Sequence, residues 1–176
     1  MRSLFQHCPA CGRAGFAAGE GPALSCAGCG FHYYLNPAVA VGAVIRDGRG
    51  HILLIRRAKD PGRGKLALPG GFVDRFETAE AAVRRELREE VGLEVQAARF
   101  LISHPNLYVY RGVPYAVLDL YFQVTVASLD VTVDGVEVHG HELCDPASIT
   151  ADALAFAAHH VAITAALADP GRAGAD

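Results

Sequence analysis

The segment from residue 79 to residue 91 constrains the fold of this chain more than any other. It contains neither Gly nor Pro and is rich in Ala, Glu, Arg and Leu, so it predicts a helix. At about 100° per residue, the apolar residues of this helix share one stripe, formed by Val83, Leu87 and Val91. A neighbouring stripe carries three carboxylates, those of Glu86, Glu89 and Glu90. The helix must therefore pack against a core with three glutamates at the edge of that core.

These three carboxylates repel one another. Glu86 lies three and four residues before Glu89 and Glu90, and each such pair costs about 0.2–0.5 kcal/mol in an isolated helix. A divalent cation would turn this repulsion into ligation, because Mg²⁺ takes carboxylate oxygens and completes its shell with water and phosphates. The alternative is a solvated, charged helix supported by i,i+4 pairs such as Glu80 with Arg84 and Arg85 with Glu89.

The residues around the helix favour the metal site. Gly70 and Gly71 precede it, Glu77 lies at its start and Gly92, which suits a C-cap, follows it. Residues 71–93 read Gly-Phe-Val-Asp-Arg-Phe-Glu, seven further residues, then Arg-Glu-Leu-Arg-Glu-Glu-Val-Gly-Leu. This pattern resembles an intact Nudix box. The resemblance covers about residues 38–165 and implies an α/β/α sandwich with a mixed sheet.

The same resemblance assigns an activity and roles. It implies an enzyme that uses Mg²⁺ (or Mn²⁺) to hydrolyse a phosphoanhydride bond in a nucleoside diphosphate linked to another moiety. The implied metal ligands are Glu86, Glu89, Glu90 and the carbonyl of Gly70. By resemblance, Arg85 and Glu77 pair and hold the loop against the helix, and Glu77 is a further candidate to reach a metal through water. Where related loops commonly carry a turn pair such as Pro-Gly, this chain has Arg75-Phe76.

A general base can be one of the helix glutamates or a glutamate elsewhere, since family members differ on this point. Outside the box, Glu137 and Glu142 are the candidates, and a surface glutamate is the alternative reading for each.

Two C-x-x-C pairs near the start predict a second metal site. Cys8 and Cys11 are separated from Cys26 and Cys29 by fourteen residues, and a glycine follows each pair. Four thiolates at this spacing favour a tetrahedral Zn²⁺, and an all-cysteine set leaves no open position, so the zinc would be structural. Redox motifs or disulfides are the alternatives. Residues 1–37 contain two cations, Arg2 and Arg13, so we expect no nucleic-acid binding by this zinc ribbon.

The length and composition of the chain limit how many domains it can form and which partners it can attract. A chain of 176 residues with 51% hydrophobic content suffices for one main domain and a small appendage. We predict a zinc ribbon over residues 1–37, a hydrolase domain over residues 38–167 and a flexible tail over residues 168–176. The net charge of −3 gives no general attraction to polyanions or membranes. The apparent lack of a leader segment and the paired cysteines predict a soluble, cytoplasmic protein.

The coarse secondary structure follows from local patterns. Strands are predicted over residues 38–45, 51–55, 94–103 and 115–126, with a turn at Asp47-Gly48. A second helix is predicted over residues 151–168, with Ser148 or Thr150 as its cap. Cys144, the fifth cysteine, is expected to be a buried thiol without a role in the chemistry.

Substrate recognition is predicted in two places. Residues 56–65 carry five cations against one acid, and Arg56, Arg57 and Lys65 are candidates to hold a diphosphate. A solvated loop is the alternative. Tyr108, Tyr110 or Tyr115 could stack on a base, although core or strand tyrosines are the alternative.

A zinc ribbon before a Nudix box resembles the NADH pyrophosphatase branch. That branch carries a Ser-Gln-Pro-Trp motif after the box, whereas this chain reads Ser-His-Pro-Asn from Ser103 and contains no Trp. NADH is therefore an alternative substrate of an enzyme whose specificity stays open. The competing class is a non-catalytic nucleotide-sensing protein. Homodimers occur among the ribbon-bearing relatives, which makes a homodimer a further expectation.

Overall fold

The computed structural model describes residues 5–18 and 23–169. It divides into two compact units, with the first boundary after Pro37. The first unit takes in Leu107–Ala116 as well as the described residues up to Pro37. This unit therefore includes a segment that the predicted boundary assigns to the hydrolase domain. Of the predicted tail, Ala168 ends a helix, and residues 170–176 lie outside the described residues.

The first unit contains three short strands in one antiparallel sheet. They are β1 (Ala17–Ala18), β2 (Ala23–Ser25) and β3 (His32–Tyr34), in the order β1-β2-β3. Its small core is formed by Cys8, Phe16, Leu24 and Cys26. Two of these four residues, Cys8 and Cys26, are candidate zinc ligands, so the candidate zinc site adjoins the core of this unit.

The second unit contains two three-stranded sheets and two helices. In chain order its elements are β4 (Ala38–Ile45), β5 (Ile52–Arg57), β6 (Leu66–Ala67), α1 (Ala79–Val91), β7 (Val95–Tyr110), β8 (Val113–Val126), β9 (Val138–Cys144) and α2 (Ala157–Ala168). The ends of β7 and β8 around their connecting turn belong to the first unit. The sheets have the orders β4-β8-β7 and β6-β5-β9. β4 pairs with β8 in parallel, whereas β5 pairs with β6 and β9 antiparallel. The architecture is therefore mixed, as predicted.

Two separate cores place a helix on each face of these strands. Ala43 on β4 and Leu53 on β5 pack with α1 in one core, whereas Val44 and Leu54, their direct neighbours in sequence, pack with α2 in the other. Successive side chains of a strand point to opposite faces. The strands therefore form the middle layer of the predicted α/β/α sandwich.

The helix α2, the strand β7 and the burial of Cys144 differ from the predictions. α2 begins at Ala157 instead of residue 151, after short 3-10 turns at Pro146–Ser148 and Ala151–Ala153, and neither Ser148 nor Thr150 caps it. β7 continues to Tyr110, well beyond residue 103. The turn at Arg111-Gly112, with positive φ at both residues, suits a tight hairpin into β8.

Cys144 is half-buried, less than predicted, and burial raises the pKa of its thiol.

None of the helices in the described part of the chain is long and apolar enough to cross a membrane.

Candidate active site and zinc site

Helix α1 has the bounds that the sequence predicts, and both of its ends are capped. The Thr78 hydroxyl accepts a hydrogen bond from the Ala81 N–H at 3.1 Å. Gly92 has φ 67°, and its N–H donates to the Arg88 carbonyl. Left-handed glycine is a common helix terminator. The predicted apolar stripe, Val83, Leu87 and Val91, is fully buried. The helix is thus fixed in rotation, which fixes where its glutamates project.

The loop before α1 runs along β4 as an added strand. The N–H groups of Val41 and Ala43 donate to the carbonyls of Gly71 and Pro69, at 2.8 and 2.9 Å. Gly70 lies between these two contacts with φ 141°. A Cβ atom on Gly70 would lie 2.2 Å from the Val41 carbonyl oxygen, so the close approach requires glycine.

Glu90 is buried against this loop. Its Oε2 accepts a hydrogen bond from the Gly70 N–H at 2.9 Å, and the residue is 7% exposed. Burial raises the pKa of the Glu90 carboxyl to about 8, although the Gly70 hydrogen bond opposes the shift, and the charge of Glu86 adds to it. A buried carboxylate with an unfavourable charge is a group that a cation would stabilise.

Glu86 lies beside the same loop. A Cβ atom on Gly71 would lie 2.6 Å from Glu86 Oε1, so the missing side chain at Gly71 gives the carboxylate its place. Burial raises the pKa of Glu86, although the hydrogen bond from Arg85 opposes the rise. Gly71 thus makes room for Glu86, whereas Gly70 allows the close approach of the loop to β4 and donates its N–H to Glu90.

Arg85 connects the loop to the helix. Its Nε and Nη2 donate to the two oxygens of Glu77, at 3.0 and 2.9 Å, and Nη2 also donates to the Phe72 carbonyl. Its Nη1 donates to Glu86 at 2.8 Å and to Glu89 at 3.1 Å. The Arg85 hydrogen bonds hold the pKa of Glu77 below its usual range. The structure therefore contains the Arg85–Glu77 pair that the resemblance implies.

The three helix glutamates do not form a closed cluster. Within the described residues, the cysteines form the one group of three or more candidate ligands whose ligand atoms all lie within 4.8 Å of one another. Glu90 is held by Gly70, and Glu86 and Glu89 by Arg85. The donor set, all oxygen and partly buried beside a glycine loop, suits Mg²⁺, which also keeps water and phosphate ligands.

Glu137 lies close enough to influence the helix glutamates. Its charge raises the pKa of both Glu86 and Glu90. The loop before β9 places it there, since the Asp134 N–H donates to the Glu90 carbonyl and the Asp134 carboxylate accepts from the Glu137 N–H. Lys59 Nζ donates to Glu137 at 2.8 Å. Glu142, the other candidate outside the box, instead pairs with Arg56.

The three candidate phosphate-binding cations separate in the structure. Arg57 is near enough to lower the pKa of Glu90, and its Nε donates to the Pro61 carbonyl at 2.8 Å. Arg56 pairs with Glu142 and also donates to the Gly64 carbonyl, and Lys65 donates to the Asp152 carbonyl at 3.2 Å. Of the three, Arg57 is the one with an electrostatic link to the carboxylates.

The candidate base-stacking tyrosines lie in the first unit. The rings of Tyr108 and Tyr110 are 6.4 Å apart, and the Arg111 guanidinium lies over the Tyr110 ring. Tyr115 is 38% exposed. Their contact with a substrate stays a prediction.

Phe76 lies where related loops commonly carry a turn pair such as Pro-Gly. It has φ 68°, a left-handed conformation that favours glycine, and its side chain is 92% exposed. The Arg75 guanidinium lies 4.5 Å from the centre of the Phe76 ring. The loop therefore keeps a glycine-like turn without having a glycine there.

A buried polar network on β7 and β8 was not predicted from the sequence. The Asp119 carboxylate, 6% exposed, accepts hydrogen bonds from the Tyr121 hydroxyl and the Asn106 amide, at 3.0 and 2.9 Å. Burial raises the pKa of Asp119. The alternation of Asp119 and Tyr121 along a strand was the available signal. His159 on α2 is also buried and was also missed, because a single histidine in an apolar helix carries no recognisable pattern.

The four cysteines of the first unit converge. The Sγ atoms of Cys8 and Cys29 are 3.7 Å apart, as are those of Cys11 and Cys26. These distances exclude disulfides and match the edge of a tetrahedron with Zn–S bonds of about 2.3 Å. The two knuckles are equivalent, since the Gly12 and Gly30 N–H groups donate to the Cys8 and Cys26 carbonyls. Backbone N–H groups of Cys29 and Gly28 lower the pKa of Cys26, whereas the neighbouring thiols raise the pKa of Cys29.

Comparison with known proteins gives matches over most of the chain. The family model described as NUDIX domain matches residues 36–167. An ADP-ribose pyrophosphatase from Methanocaldococcus jannaschii is 53% identical over 79 residues, which are 43% of this chain and 46% of that protein. A NAD-capped RNA hydrolase, NudC, from Deinococcus radiodurans is 38% identical over 104 residues, 57% of this chain and 36% of that protein. This chain thus spans less than half the length of either relative.

Solved structures of NUDIX hydrolases also superpose on most of this chain. The crystal structure of a NUDIX hydrolase from Nitrosomonas europaea superposes with a TM-score of 0.72 at 26% identity, over 93% of this chain and 91% of that one. A MutT NUDIX hydrolase from Burkholderia pseudomallei gives a TM-score of 0.65 at 27% identity, over 73% of this chain and 97% of that one.

Proposed function

This chain belongs to the NUDIX family, and from that premise we propose that it is a metal-dependent hydrolase of a phosphoanhydride bond in a nucleoside diphosphate linked to another moiety. One observation supports the proposal above the others. Glu90 is buried against Gly70 and Glu86 lies against Gly71, and the pKa of each carboxyl is raised by burial. This arrangement is electrostatically unfavourable without a cation and suited to one.

We propose Glu86, Glu89, Glu90 and the Gly70 carbonyl as the ligands of Mg²⁺ or Mn²⁺. When bound, such ions neutralise phosphate charge and help generate hydroxide from water. Arg85 and Glu77 keep the loop and the helix in register through their paired hydrogen bonds. Arg57, whose charge reaches Glu90, is the best-placed of the candidate cations to engage a diphosphate.

Glu137 is the candidate general base outside the box. It is exposed, so it can take up a proton from water, and its charge acts on Glu86 and Glu90. Lys59 holds it by a hydrogen bond of 2.8 Å. Glu142 is the weaker candidate, because its carboxylate is paired with Arg56. A bulge between Arg56 and Arg57 in β5 separates this pair from Arg57, the arginine whose charge reaches Glu90.

The names of the relatives support one class of substrate. The two curated proteins carry the names ADP-ribose pyrophosphatase and NAD-capped RNA hydrolase, and each of these substrates contains an adenosine joined to a second moiety through a diphosphate. We therefore place ADP-ribose and the dinucleotides NAD and NADH first among the candidates. Hydrolysis of NADH would yield nicotinamide mononucleotide and AMP.

The proposal is tested by mass spectrometry of products. Purified protein is incubated with dinucleotides, nucleotide sugars, nucleoside triphosphates and a NAD-capped RNA, each with Mg²⁺ or Mn²⁺. We expect a nucleoside monophosphate from at least one diphosphate-linked substrate and none without metal. Tight binding of ADP-ribose or NADH with no product under any condition would instead indicate the non-catalytic sensing class.

Structural Zn²⁺ at Cys8, Cys11, Cys26 and Cys29 completes the proposal. The four sulfur atoms already have the spacing of a tetrahedral site. Free thiolates suit a reducing compartment, which supports a cytoplasmic location. A homodimer and the absence of nucleic-acid binding by the ribbon are further parts of the proposal, and size-exclusion chromatography and binding to uncapped RNA test them.

A further inference from the structure

The buried imidazole of His159 holds the backbone that leads into the glycine loop. His159 lies in the first turn of α2, and its Nδ1 accepts a hydrogen bond from the Leu68 N–H at 3.1 Å. Both residues are buried. Because Nδ1 accepts, the ring is neutral with its proton on Nε2. Burial and the charge of Arg57 lower the pKa of His159 to about 3, so this state persists across the physiological range.

The hydrogen bonds of residues 66–73 show what His159 supports. On the α2 side, the Ala155 N–H donates to the Leu66 carbonyl and the Leu68 N–H donates to His159. On the β4 side, the carbonyls of Pro69 and Gly71 accept from β4, and the Val73 N–H donates to it. Gly70 lies between, and its N–H donates to Glu90. Residues 66–73 are thus held by hydrogen bonds both before and after Gly70, the residue that contacts Glu90.

The imidazole is itself held in place. Its ring is in edge-on contact with Tyr121 at 5.9 Å and with Phe156 at 5.3 Å. The Arg57 guanidinium lies over the same Phe156 ring at 5.1 Å. The first turn of α2 therefore supports both the Leu68–Gly70 backbone and the arginine whose charge reaches Glu90.

We infer that His159 is a positioning residue: through Leu68 it sets the position of the Gly70 backbone relative to Glu90 and thereby tunes divalent-metal binding at α1. The inference rests on the proposed function for the identity of the ligand. It extends the active site to a helix that carries none of the box residues. A buried amide N–H that loses its acceptor must find another partner, and here the available movement is a shift of the loop.

The experiment compares three variants of the full chain. His159→Leu removes the acceptor, His159→Asn keeps an oxygen near the position of Nδ1, and His160→Leu makes the same change at the adjacent, half-buried histidine. Mn²⁺ affinity is measured by electron paramagnetic resonance, and exchange of the Gly70 amide proton is measured by NMR in the metal-free protein. Thermal unfolding of each variant shows whether global stability has changed.

We expect His159→Leu to weaken Mn²⁺ binding about 10-fold, the order found for groups that orient metal ligands. Gly70 exchange should accelerate beyond what any change in global stability explains. His159→Asn and His160→Leu should stay within about 2-fold of wild type, since each keeps an acceptor for Leu68. Unchanged Mn²⁺ affinity in His159→Leu overturns the inference.

A second comparison applies if His159→Leu does not fold. His159→Gln places its oxygen one bond farther from the backbone than His159→Asn does. Equal Mn²⁺ affinity in these two variants would then contradict the inference, and weaker binding in His159→Gln would support it. Failure of the proposed function would appear separately, as absent hydrolysis by the wild-type protein, whereas Gly70 exchange reports on the His159 contact without any substrate.

Discussion

Arg85 donates two hydrogen bonds to the Glu77 carboxylate, from Nε to Oε1 at 3.0 Å and from Nη2 to Oε2 at 2.9 Å. The pair is largely shielded from solvent, with side chains 25% and 15% exposed. Only the planar fork of arginine makes this two-point contact while also reaching Glu86. The loop and the helix of the candidate site are thus joined by geometry as well as by charge.

We therefore expect Arg85→Lys to be damaging despite its conserved charge. Loss of the paired contacts should lower the free energy of unfolding by about 2 kcal/mol, the scale of hydrogen bonds to charged groups. Urea denaturation measures the change. Arg88→Lys is the matched control, because Arg88 pairs with Glu94 on the exposed side of the same helix and should cost less than about 0.5 kcal/mol. Equal losses in the two variants would show that the fork has no special role.

The burial of Glu90 predicts a pH dependence of stability. Its pKa is about 8 in the folded, metal-free protein against 4.5 for the unperturbed group. Between these values the folded state keeps a proton that the unfolded state releases, so the free energy of unfolding should fall as pH rises. Glu90→Gln lacks this proton and should show a flatter profile, which urea denaturation at several pH values from 5 to 8 measures.

The same measurement has two controls. Glu80→Gln, an exposed position on α1, should keep the wild-type slope. Added Mg²⁺ should flatten the wild-type slope, because a bound cation favours the ionised carboxylate. Chelators are to be avoided, since they would also remove zinc. A wild-type slope that matches Glu90→Gln in metal-free buffer would contradict the assignment of a buried, protonated Glu90.

Glu137 and Glu142 form a natural pair for testing the general base. Both are glutamates outside the box, and the charge of Glu137 is among the main causes that raise the pKa of both Glu86 and Glu90, whereas Glu142 pairs with Arg56. We expect Glu137→Gln to lower kcat by about 100-fold or more, the scale of general-base catalysis, and to remove the acidic limb of the pH–rate profile. Glu142→Gln should leave kcat within about 3-fold, as expected for a group with no proton-transfer role. The assignment fails if Glu137→Gln retains the wild-type rate and profile.

The zinc site predicts a stability effect that is separate from chemistry. Metal analysis of purified protein should return close to one zinc per chain. Cys8→Ser removes a buried candidate ligand and should reduce both the zinc content and the melting temperature. Cys144→Ser, at a half-buried cysteine outside the site, should change neither quantity. Full zinc content in Cys8→Ser would rule out the four-cysteine arrangement.

Local chemistry was sufficient to predict much of this molecule. Helix α1 has the predicted bounds because its caps, its apolar stripe and its lack of Gly and Pro all agree. The cysteine pairs likewise predicted the cluster that the structure contains, since their spacing alone restricts how four thiolates can meet.

The remaining features depend on tertiary contacts. Residues 154 and 155 were predicted to be helical but lie outside α2. Leu154 is extended and bridges to Leu66, and the Ala155 N–H donates to the Leu66 carbonyl. β7 passes through Pro105, which is tolerated because β7 is at the edge of its sheet. Arg56 and Arg57 are neighbours in sequence, yet Arg56 pairs with Glu142 whereas Arg57 lies near Glu90. This difference, like the contact of His159 with Leu68, arises only when distant segments pack.

The most direct test of the account is the metal-dependent turnover of Glu89→Gln/Glu90→Gln on the best substrate found in the product screen. The matched control is Glu80→Gln/Glu94→Gln, which removes the same charge from exposed positions on and just after the same helix. We predict that the first variant loses Mg²⁺-dependent release of nucleoside monophosphate and that the control keeps it. Turnover at the wild-type rate in Glu89→Gln/Glu90→Gln would contradict the claim that α1 carries the catalytic metal site.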